Sequence, residues 1–498
     1  MKIQKILVAN RGEIAIRVMR SAKELGIATV AVYSDADKYT AHVTYADEAI
    51  HIGPAPSSQS YLIGEKIIEA CRKTNADAIH PGYGFLSENA EFAKSVKEAG
   101  LIFIGPSSDA IEVMGDKLAS KQAVKDFDVP LVPGMDEPIS DVNEAKKVAD
   151  SIGYPVMIKA SAGGGGKGMR IVNNPKDFDE QMTRAVSEAK NSFGDEAVFV
   201  EKFITSPKHI EVQILGDQHG HVIYLFEREC SIQRRNQKVI EEAPSALLSP
   251  EQRKRIGEAA VNVAKSCNYY GAGTVEFIAD ENLDFYFLEM NTRLQVEHPV
   301  TEEITGIDLV KEQIAIAEGR KIPFSQEDLQ INGHSIEVRV YAEDPENNFL
   351  PDTGTLLTYR RPQGPGVRVD DGYEEGMEIP IHYDPMIAKM IVHGKDRHEA
   401  ILRMKRAIQE YQIVGIKTTL PFCEFVLNHS DFVDGSFTTK FVEQHFTLDR
   451  IKKVIPKDIQ EIAALFSYQD YKSQRKSMTV KSTDTVVSSK WKNRRHYD

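Results

Sequence analysis

Two acidic residues and one amide in the second half of the chain are spaced to hold a divalent cation. Glu276 lies in one apolar run, and Glu289 and Asn291 lie in the next. A hairpin that turns near residues 281–283 brings Glu276 opposite Glu289, and the strand period of two puts Asn291 on the same face. With no cationic residue in this pairing, the carboxylates repel unless a hard cation separates them, and oxygen ligands suit Mg²⁺ or Mn²⁺ held with phosphates. A solvent-facing acidic pair is the alternative.

A glycine-rich segment supplies a candidate phosphate-binding loop. Its sequence is GGGGKG at residues 163–168, between predicted strands at 155–161 and 168–172. A dinucleotide fingerprint needs a helix after the glycines, and a Walker A loop needs Ser or Thr after the lysine. The segment instead predicts a hairpin tip whose backbone N–H groups close over a polyphosphate, with Lys159 as a nearby point charge. A flexible surface turn is the alternative.

The residues that follow Asn291 predict an oxyanion site. If the strand continues, Arg293 and Gln295 share its face, and a guanidinium fork with an amide suits a small anion such as bicarbonate. Glu297 would lie on the same face of that strand and is a candidate general base. His298 is interpreted as structural, because no second histidine follows at zinc-ligand spacing.

A charged run between residues 227 and 242 mixes glutamates with arginines and a lysine. The pattern is typical of a salt-bridged surface and also suits an anion site. No aromatic residues lie among the basic ones, which argues against nucleic-acid binding. Cys230 has no histidine nearby in the sequence and is interpreted as a packed thiol.

The elements that must position these residues follow from the apolar periodicity. The first 110 residues predict an α/β region with a doubly wound parallel sheet, and the later ones predict α+β regions with mixed or antiparallel sheets. The predicted N-terminal elements are strands at residues 5–9, 28–33, 76–80 and 101–104 and a helix at 13–25. The predicted hairpins pair 155–161 with 168–172, 210–215 with 222–226, and 273–279 with 285–290, and others lie near 362–376. An alternating run at 335–341 opens the last region.

The composition of the chain limits the expected partners and the expected cellular compartment. The chain has 498 residues, a net charge of −13 and no apolar run long enough to span a membrane, so neither nucleic acid nor a membrane is expected as a partner. Its four cysteines form no C-x-x-C pair, which favours a reducing cytoplasm. Residues 451–498 carry 11 Lys and Arg against 5 Asp and Glu and predict a partly ordered basic tail.

Taken together, the motifs resemble biotin carboxylase, a family of ATP-grasp ligases, over residues 3–446. The resemblance implies an N-terminal domain at residues 1–115, an ATP-grasp domain at 116–333 with a mobile glycine-loop lid at about 131–203, and a C-terminal domain at 334–446, with the tail at 447–498 outside it. The matching segments are ANRGEIA at 9–15, HPGYGFLSEN at 80–89, 159–168, 233–238, and 289–299.

The resemblance also implies the substrates and cofactors, namely ATP, bicarbonate, Mg²⁺ or Mn²⁺, and biotin carried on a separate protein. The implied metal ligands are Glu276, Glu289 and Asn291. The implied bicarbonate site comprises Lys238, Arg293, Gln295 and Val296, with Glu297 as the base, Arg339 as the stabiliser of the biotin enolate, and Tyr83 beside the biotin. The implied ATP-binding residues are Lys117, Lys159, Gly163, Gly164, Gly165, Gly166, Lys167, Gly168, Glu201, Lys202, Phe203, Ile204, His209, Gln233 and Asn236.

The implied reaction proceeds through carboxyphosphate, which breaks down to CO₂ and phosphate before the biotin nitrogen is carboxylated. Asn236, where many relatives have His, and the YDPM motif at 383–386 favour an acyl-CoA (acetyl- or propionyl-) carboxylase over pyruvate carboxylase. No biotin-accepting AMKM turn is found; the similar IAKM lies in a predicted strand. The expected partners are therefore a biotin carboxyl carrier protein and a carboxyltransferase subunit, and a homodimer is expected by analogy.

Three other functions are compatible with parts of the sequence. Another ATP-grasp ligase, such as a carbamoyl-phosphate or purine-pathway enzyme, would share the glycine loop and the acidic pair but would lack the set that includes Arg293, Glu297 and Arg339. A dinucleotide oxidoreductase is opposed by the strand that follows Gly168. A catalytically inactive regulatory module is opposed by the joint presence of the base, metal and phosphate residues.

Overall fold

The structure is a computed structural model that describes residues 2–135, 139, 141–160, 169–193, 197–451 and 457–479. The chain divides into two compact units, residues 1–447 and 448–498. Within the described ranges, no helix combines the length and the apolar character needed to cross a bilayer.

A parallel five-stranded sheet forms the N-terminal region and confirms the predicted doubly wound sheet. Its strand order is β3-β2-β1-β4-β5, with helices between the strands. The helix α1 ends where predicted, because Gly26 adopts the positive φ that favours glycine after a helix. The elements are β1 (Lys5–Val8), α1 (Gly12–Glu24), β2 (Ala28–Ser34), α2 (Ala41–Tyr45), β3 (Glu48–Gly53), α3 (Gly64–Thr74), β4 (Ala78–His80), α4 (Ala90–Glu98), β5 (Ile102–Phe103) and α5 (Ser108–Gly115).

A small antiparallel sheet follows, here called the lid sheet, with strand order β7-β6-β8. The predicted pairing of the strands on either side of the glycine loop is confirmed, with Lys159 opposite Met169. The helices α7 and α8 cover this sheet through apolar side chains such as Ala149 and Phe178. The elements are α6 (Lys117–Val124), α7 (Val142–Ile152), β6 (Val156–Ala160), β7 (Met169–Val172), α8 (Phe178–Phe193) and β8 (Val198–Lys202).

The remaining elements surround one large antiparallel sheet. The first set is β9 (Lys208–Gly216), β10 (Val222–Arg234), β11 (Gln237–Ala243), α9 (Pro250–Ser266), β12 (Gly271–Ala279), β13 (Phe285–Asn291), α10 (His298–Thr305), α11 (Leu309–Ala317) and β14 (His334–Tyr341). The second set is β15 (Glu343–Asp344), β16 (Leu350–Pro351), β17 (Gly354–Thr355), β18 (Thr358–Arg360), β19 (Val367–Asp371), β20 (Glu378–Ile379), β21 (Met386–Gly394), α12 (Arg397–Glu410), β22 (Gln412–Val414), α13 (Leu420–Asn428), α14 (Ser430–Asp434) and α15 (Phe441–His445).

The large sheet has the strand order β13-β12-β9-β10-β11-β14-β21-β19. The two hairpins predicted in its first half are confirmed. Pairing of β11 with β14 then joins the ATP-grasp strands to the C-terminal strands in one continuous sheet. The hairpins predicted near 362–376 are wrong, because β19 pairs with β21 and β20 pairs with β17. Residues from distant parts of the sequence therefore meet on one sheet.

In the second unit, residues 457–479 form the helix α16 (Lys457–Thr479). The weak apolar periodicity of this segment did not predict a helix. Within that helix, Ile459, Ile462, Leu465 and Phe466 are exposed.

Candidate active site

Lys238 is the centre of a buried charge cluster on the large sheet. It lies on β11, and its ammonium group donates hydrogen bonds to Glu211, to Glu276 at 2.9 Å and to Glu297 at 2.7 Å. Burial alone would lower the pKa of Lys238, but the three carboxylates raise it well above its ordinary value. The cluster thus holds one fixed positive charge between acids from β9, β12 and the start of α10.

Glu276 contacts polar partners through both carboxylate oxygens. Its Oε1 accepts from Lys238 Nζ, Asn291 Nδ2 and Gln295 Nε2, each at 2.9 Å, and its Oε2 lies 3.0 Å from His209 Nε2. Burial would raise the pKa of Glu276, but Lys238 and His209 lower it well below its ordinary value. The sequence-based premise that no cation pairs with the acidic residues is therefore wrong, since β11 brings Lys238 to them.

Glu289 lies directly across the hairpin from Glu276, as predicted. Its carboxylate is exposed and makes no hydrogen bond or ion pair with any residue in the described ranges. The pKa of Glu289 is raised, first by partial loss of hydration and then by the charge of Glu276. A carboxylate without a cationic partner beside a second carboxylate, with the Asn291 amide oxygen two residues away, suits a hard divalent ion. The donor set therefore fits Mg²⁺ or Mn²⁺.

The segment after Asn291 converges on the cluster without being a strand. The strand β13 ends at Asn291, so the predicted continuation through residue 297 is wrong. Gln295 nevertheless donates to Glu276, and Arg293 donates to Asn291 Oδ1 at 3.0 Å and to Glu88 Oε2 at 2.7 Å. The predicted guanidinium and amide therefore lie near the acids, but an irregular loop positions them.

Glu297 is wholly buried and bound by two cations. Its Oε1 accepts from Lys238 at 2.7 Å, and its Oε2 accepts from Arg339 Nη2 at 2.9 Å. Burial would raise the pKa of Glu297, but Lys238 and Arg339 lower it well below its ordinary value. Arg339 also donates through Nε to Glu241 at 2.6 Å, and burial chiefly raises the pKa of Glu241 to about 7. Glu297 is therefore ionised at neutral pH and can accept a proton.

A buried lysine, Lys389, connects the loop that carries Val296 with Glu13, the hydrogen-bond partner of Tyr83. The sequence analysis did not predict a role for this lysine. Lys389 donates from Nζ to the Val296 carbonyl at 2.9 Å and lies 3.2 Å from Glu13 Oε1. The Tyr83 hydroxyl also donates to Glu13. The half-buried Tyr83 is thereby fixed beside the loop that carries Val296.

The side of the site that faces the lid sheet is organised by Glu201. This buried carboxylate at the end of β8 accepts hydrogen bonds from Lys159 on β6 and from Lys121 on α6. Burial would raise the pKa of Glu201, but the two lysines lower it. Lys121 was missed by the sequence reasoning, since nothing in its local sequence marks it.

The other residues predicted to bind ATP lie in several different elements. Lys202 points away from Glu201 and donates to the carbonyl of Gly153 at 2.9 Å, and Phe203 and Ile204 follow directly after β8. Lys117 begins α6 and is close enough to Glu289 to oppose the rise of its pKa. Gly163, Gly164, Gly165, Gly166, Lys167 and Gly168 lie outside the described residues.

Three predicted ATP residues lie on β9 and on the β10–β11 hairpin. His209 contacts Glu276, and this acid raises the pKa of His209 despite the opposing effect of burial. Gln233 donates from Nε2 to the Cys230 carbonyl at 2.8 Å. Arg235 and Asn236 form the two-residue turn, and both have positive φ. Asn suits such a turn, which explains locally why Asn stands at this position.

Arg228 is a central residue that sequence reasoning missed. It is fully buried on β10 and donates to Glu211, to Gln213 at 2.7 Å and to Gln295 at 2.8 Å. These partners come from β9 and from the loop after β13, whereas its sequence neighbour Glu227 pairs with a different arginine. The interpretation of the charged run as a salt-bridged surface is therefore wrong for these residues, which are buried. Cys230 is buried as well, and burial raises its pKa, as expected for a packed thiol.

Three family models match the sequence. They are "Biotin carboxylase, N-terminal domain" over residues 2–111, "Carbamoyl-phosphate synthase L chain, ATP binding domain" over 116–325, and "Biotin carboxylase C-terminal domain" over 337–444.

Two carboxylase subunits with high sequence identity to this chain agree with the family matches. The chain is 54% identical over 444 residues to the mitochondrial methylcrotonoyl-CoA carboxylase alpha chain of Rattus norvegicus, in a match that covers 89% of this chain and 62% of the relative. It is 53% identical over 459 residues to a pyruvate carboxylase subunit of Methanothermobacter thermautotrophicus, in a match that covers 92% of this chain and 93% of the relative. The chain thus spans less than two thirds of the first relative and nearly all of the second.

A solved structure shows the same fold. The biotin carboxylase domain dimer of the Hydrogenobacter thermophilus 2-oxoglutarate carboxylase, in complex with MgADP, ADP and bicarbonate, is 50% identical in sequence. It matches 91% of this chain and 100% of that domain with a TM-score of 0.83. The chain belongs to the biotin carboxylase family, whose members are ATP-grasp ligases.

Proposed function

We propose that this chain carboxylates biotin with bicarbonate at the expense of ATP, and that the Lys238 cluster is the catalytic centre. The observation that supports this most directly is the arrangement of Glu297 between two cations, Lys238 and Arg339, in a buried site. Cations held beside an ionised base create a binding site for a small anion that must also lose a proton. Bicarbonate has this chemistry.

In this proposal, bicarbonate takes over contacts that Lys238 makes with the acids and is further held by Arg293, Gln295 and Val296. When a cation turns from Glu297 to the bound anion, the carboxylate becomes more basic, because less positive charge stabilises its ionised form. Glu297 then accepts the bicarbonate proton as a bicarbonate oxygen attacks the γ-phosphorus. The bond to the β–γ bridging oxygen breaks, and ADP leaves.

The products of that step are ADP and carboxyphosphate, which splits into CO₂ and phosphate. The phosphate takes the proton from the ureido nitrogen of biotin, and this nitrogen attacks CO₂ to give carboxybiotin. Arg339 stabilises the enolate form of biotin through its guanidinium, and Tyr83 borders the ring. Both residues are held by buried carboxylates, Glu241 and Glu13 respectively, so their positions are fixed before substrate binds.

ATP is proposed to lie between the lid sheet and the large sheet. Lys117, Lys159, His209 and the glycines at 163–168 would contact phosphates, and the nucleoside would be held by residues 201–204, Gln233 and Asn236. Mg²⁺ or Mn²⁺ would be held by Glu276, Glu289 and Asn291, and it supplies neutralisation of phosphate charge.

The biotin is proposed to arrive on a separate biotin carboxyl carrier protein. The only sequence similar to a biotinylation turn contains Lys389, and this lysine is fully buried on β21 with its Nζ bonded to Val296 and Glu13. It cannot present biotin to the site. The second proposed partner is a carboxyltransferase subunit, and a homodimer is proposed from the relatives, one of which is a dimer.

The final acceptor of the carboxyl group is proposed to be an acyl-CoA. The similarity to a methylcrotonoyl-CoA carboxylase subunit supports this proposal. Asn236 and Tyr383, on which the sequence-based preference rests, also have structural roles, since Asn236 forms a turn and the ring of Tyr383 packs 4.1 Å from the Arg11 guanidinium. Transfer to acetyl-CoA, propionyl-CoA and pyruvate by a reconstituted carboxyltransferase would identify the acceptor. Transfer to pyruvate alone would replace the acyl-CoA proposal.

The test of the proposed function is ADP release by the full chain with MgATP. We expect release to depend on bicarbonate and to rise when free biotin is added, with ¹⁴C from bicarbonate appearing in carboxybiotin. ADP release that ignores biotin but responds to ammonia or another amine would favour a different ATP-grasp ligase. Binding of NAD(P)H in place of ATP would favour the oxidoreductase.

A further inference from the structure

A second group of metal-ligating side chains lies in the C-terminal part of the chain, away from the proposed catalytic residues. His429 joins α13 to α14, Asp431 lies in α14, and His445 is the last residue of α15. We propose that these three side chains bind a divalent transition-metal ion, preferably Zn²⁺, and that the ion fastens α15 to the α13–α14 turn.

The ligand atoms are already close to a metal-binding geometry. His445 Nε2 lies 3.1 Å from Asp431 Oδ2, and His429 Nδ1 lies 3.5 Å from Asp431 Oδ1. One ligand atom from each residue lies within 4.8 Å of the other two. Ligands of a tetrahedral zinc ion at about 2.0–2.1 Å are roughly 3.3 Å apart. Small side-chain rotations therefore suffice to bring the three atoms onto one ion, with a fourth position left for water.

Aromatic packing holds the two imidazoles in place. The ring centroid of His429 is 4.4 Å from that of His445 and 5.0 Å from that of Phe441, and Phe425 lies 5.8 Å away on another side. His429 Nδ1 also accepts the backbone N–H of Asp431 at 3.2 Å, and a metal bound at this nitrogen would replace that hydrogen bond. An unprotonated imidazole and a carboxylate are the forms that bind metal.

An ion pair accounts for only part of the arrangement. It needs one imidazole for the Asp431 carboxylate, whereas both His429 Nδ1 and His445 Nε2 lie within 3.5 Å of its oxygens. A divalent ion can bind all three side chains at once. Nitrogen ligands favour Zn²⁺ over Mg²⁺, which prefers oxygen, so the site is chemically distinct from the Mg²⁺ site proposed at Glu276.

The cluster follows a segment that contacts the ATP-binding strands. The Thr439 N–H donates to the Pro207 carbonyl at 3.0 Å, and Lys208 Nζ donates to the Phe437 carbonyl at 2.5 Å. The strand β9 continues from Lys208 to His209. An ion on His445 would therefore fix the end of a segment that braces β9, and its role is structural and not catalytic.

The test uses tag-free full-length protein, with Co²⁺ as a spectroscopic probe and Zn²⁺ as its competitor. Two other candidate clusters occur among the described residues. Excess Mg²⁺ and the variant Glu276→Gln as background remove binding at the one that contains His209, Glu211 and Glu276, and the three residues of the other, Glu211, Cys230 and Glu297, are all buried. We expect one equivalent of Co²⁺ to give the ligand-field absorption of a tetrahedral site, Zn²⁺ to displace it, and Zn²⁺ to raise Tm. This outcome is independent of biotin carboxylation.

The variants His445→Ala and Asp431→Asn should each weaken Zn²⁺ binding by more than about tenfold, the least that loss of an outer-shell partner costs. They should also abolish the rise in Tm. His398→Ala, which removes an exposed histidine on α12, is the matched control and should keep both effects. If His445→Ala does not fold, Asp431→Asn decides the question. Equal Zn²⁺ affinity in Asp431→Asn and His398→Ala would overturn the proposal.

Discussion

The Lys238 cluster on the large sheet and the Glu201 cluster at the lid sheet both consist of basic side chains bound to glutamates, but they differ in burial. The side chain of Lys238 is 11% exposed and that of Glu297 is 2% exposed. Lys159 and Lys121, which share Glu201, are 37% and 35% exposed. The first cluster is sealed by the sheet, whereas the second is open to water on its lysine side.

This difference assigns separate tasks to the two regions. Removing one partner from a buried pair costs about 3–5 kcal/mol, because the other charge stays buried. A solvent-exposed pair contributes only about 0–1 kcal/mol. Lys159 can exchange Glu201 for an ATP phosphate at a lower cost, because water reaches its ammonium group and Lys121 still pairs with the buried Glu201. The residues around Glu297 keep their positions until a substrate anion replaces a partner.

The strongest test of this contrast is Glu297→Gln on the buried side. We expect bicarbonate-dependent ADP release to fall by about 100- to 10,000-fold, since an amide cannot accept the proton. ATP affinity should stay unchanged, because Glu297 contacts Lys238 and Arg339 and not the lid sheet. Steady-state kinetics and nucleotide titration measure the two quantities.

The matched control is Glu281→Gln in the exposed turn between β12 and β13, which should behave as the wild type. Retained turnover in Glu297→Gln would remove Glu297 as the base. A parallel loss of ATP affinity would mean that the buried cluster also shapes the nucleotide site, and the contrast between the regions would fail.

The next largest effect is expected for Glu289→Gln, at the exposed edge of the buried cluster. The carboxylate of Glu289 has no partner among the described residues, so its loss should leave the fold stable while weakening Mg²⁺ binding. We expect the Mg²⁺ concentration for half-maximal activity to rise roughly tenfold or more. Titration of activity with Mg²⁺ at fixed ATP gives this value, and an unchanged requirement would remove Glu289 from the metal site.

On the lid side, Lys159→Met and Lys121→Met form a matched pair, because both lysines bind Glu201. Only Lys159 is predicted to reach phosphate. Lys159→Met should therefore raise KM for ATP roughly tenfold, as for the loss of one charge-assisted hydrogen bond worth about 1.5 kcal/mol, whereas Lys121→Met should change KM little. Equal effects would show that both lysines act only through Glu201.

The sequence predicted the parts of both regions that depend on local periodicity. The hairpin that pairs Glu276 with Glu289 and the pairing of the strands around the glycine loop follow from alternation and turn residues. The insertion of Lys238 between the acids could not be predicted, because it depends on the order of strands in the large sheet. For the same reason, the sequence left the charged run that contains Arg228 open between a salt-bridged surface and an anion site, because the partners of Arg228 on β9 are distant in sequence.

Loop geometry marks another limit of sequence reasoning. Residues 292–297 were predicted to continue a strand, and the prediction brought Gln295 to the correct side although the strand stops at Asn291. Contacts with Arg228 and Glu276 hold Gln295 in place without a sheet ladder. The local pattern thus identified the chemistry, and tertiary contacts determined how it is positioned.

The smallest expected effect concerns His209, which lies on β9 and pairs with Glu276 of the Lys238 cluster. Its pKa is raised from the ordinary value of 6.5; burial opposes this rise, but the ion pair with Glu276 outweighs it. A raised folded-state pKa contributes stability that is fully present below pH 6.5 and is lost as the pH rises through the folded-state value. The variant His209→Gln should therefore lower Tm by a few degrees in acidic buffer and by progressively less as the pH rises. Thermal unfolding of the wild type and of His209→Gln across this pH range measures the difference in Tm. A difference in Tm that grows with increasing pH would show that the cluster stabilises the neutral imidazole instead.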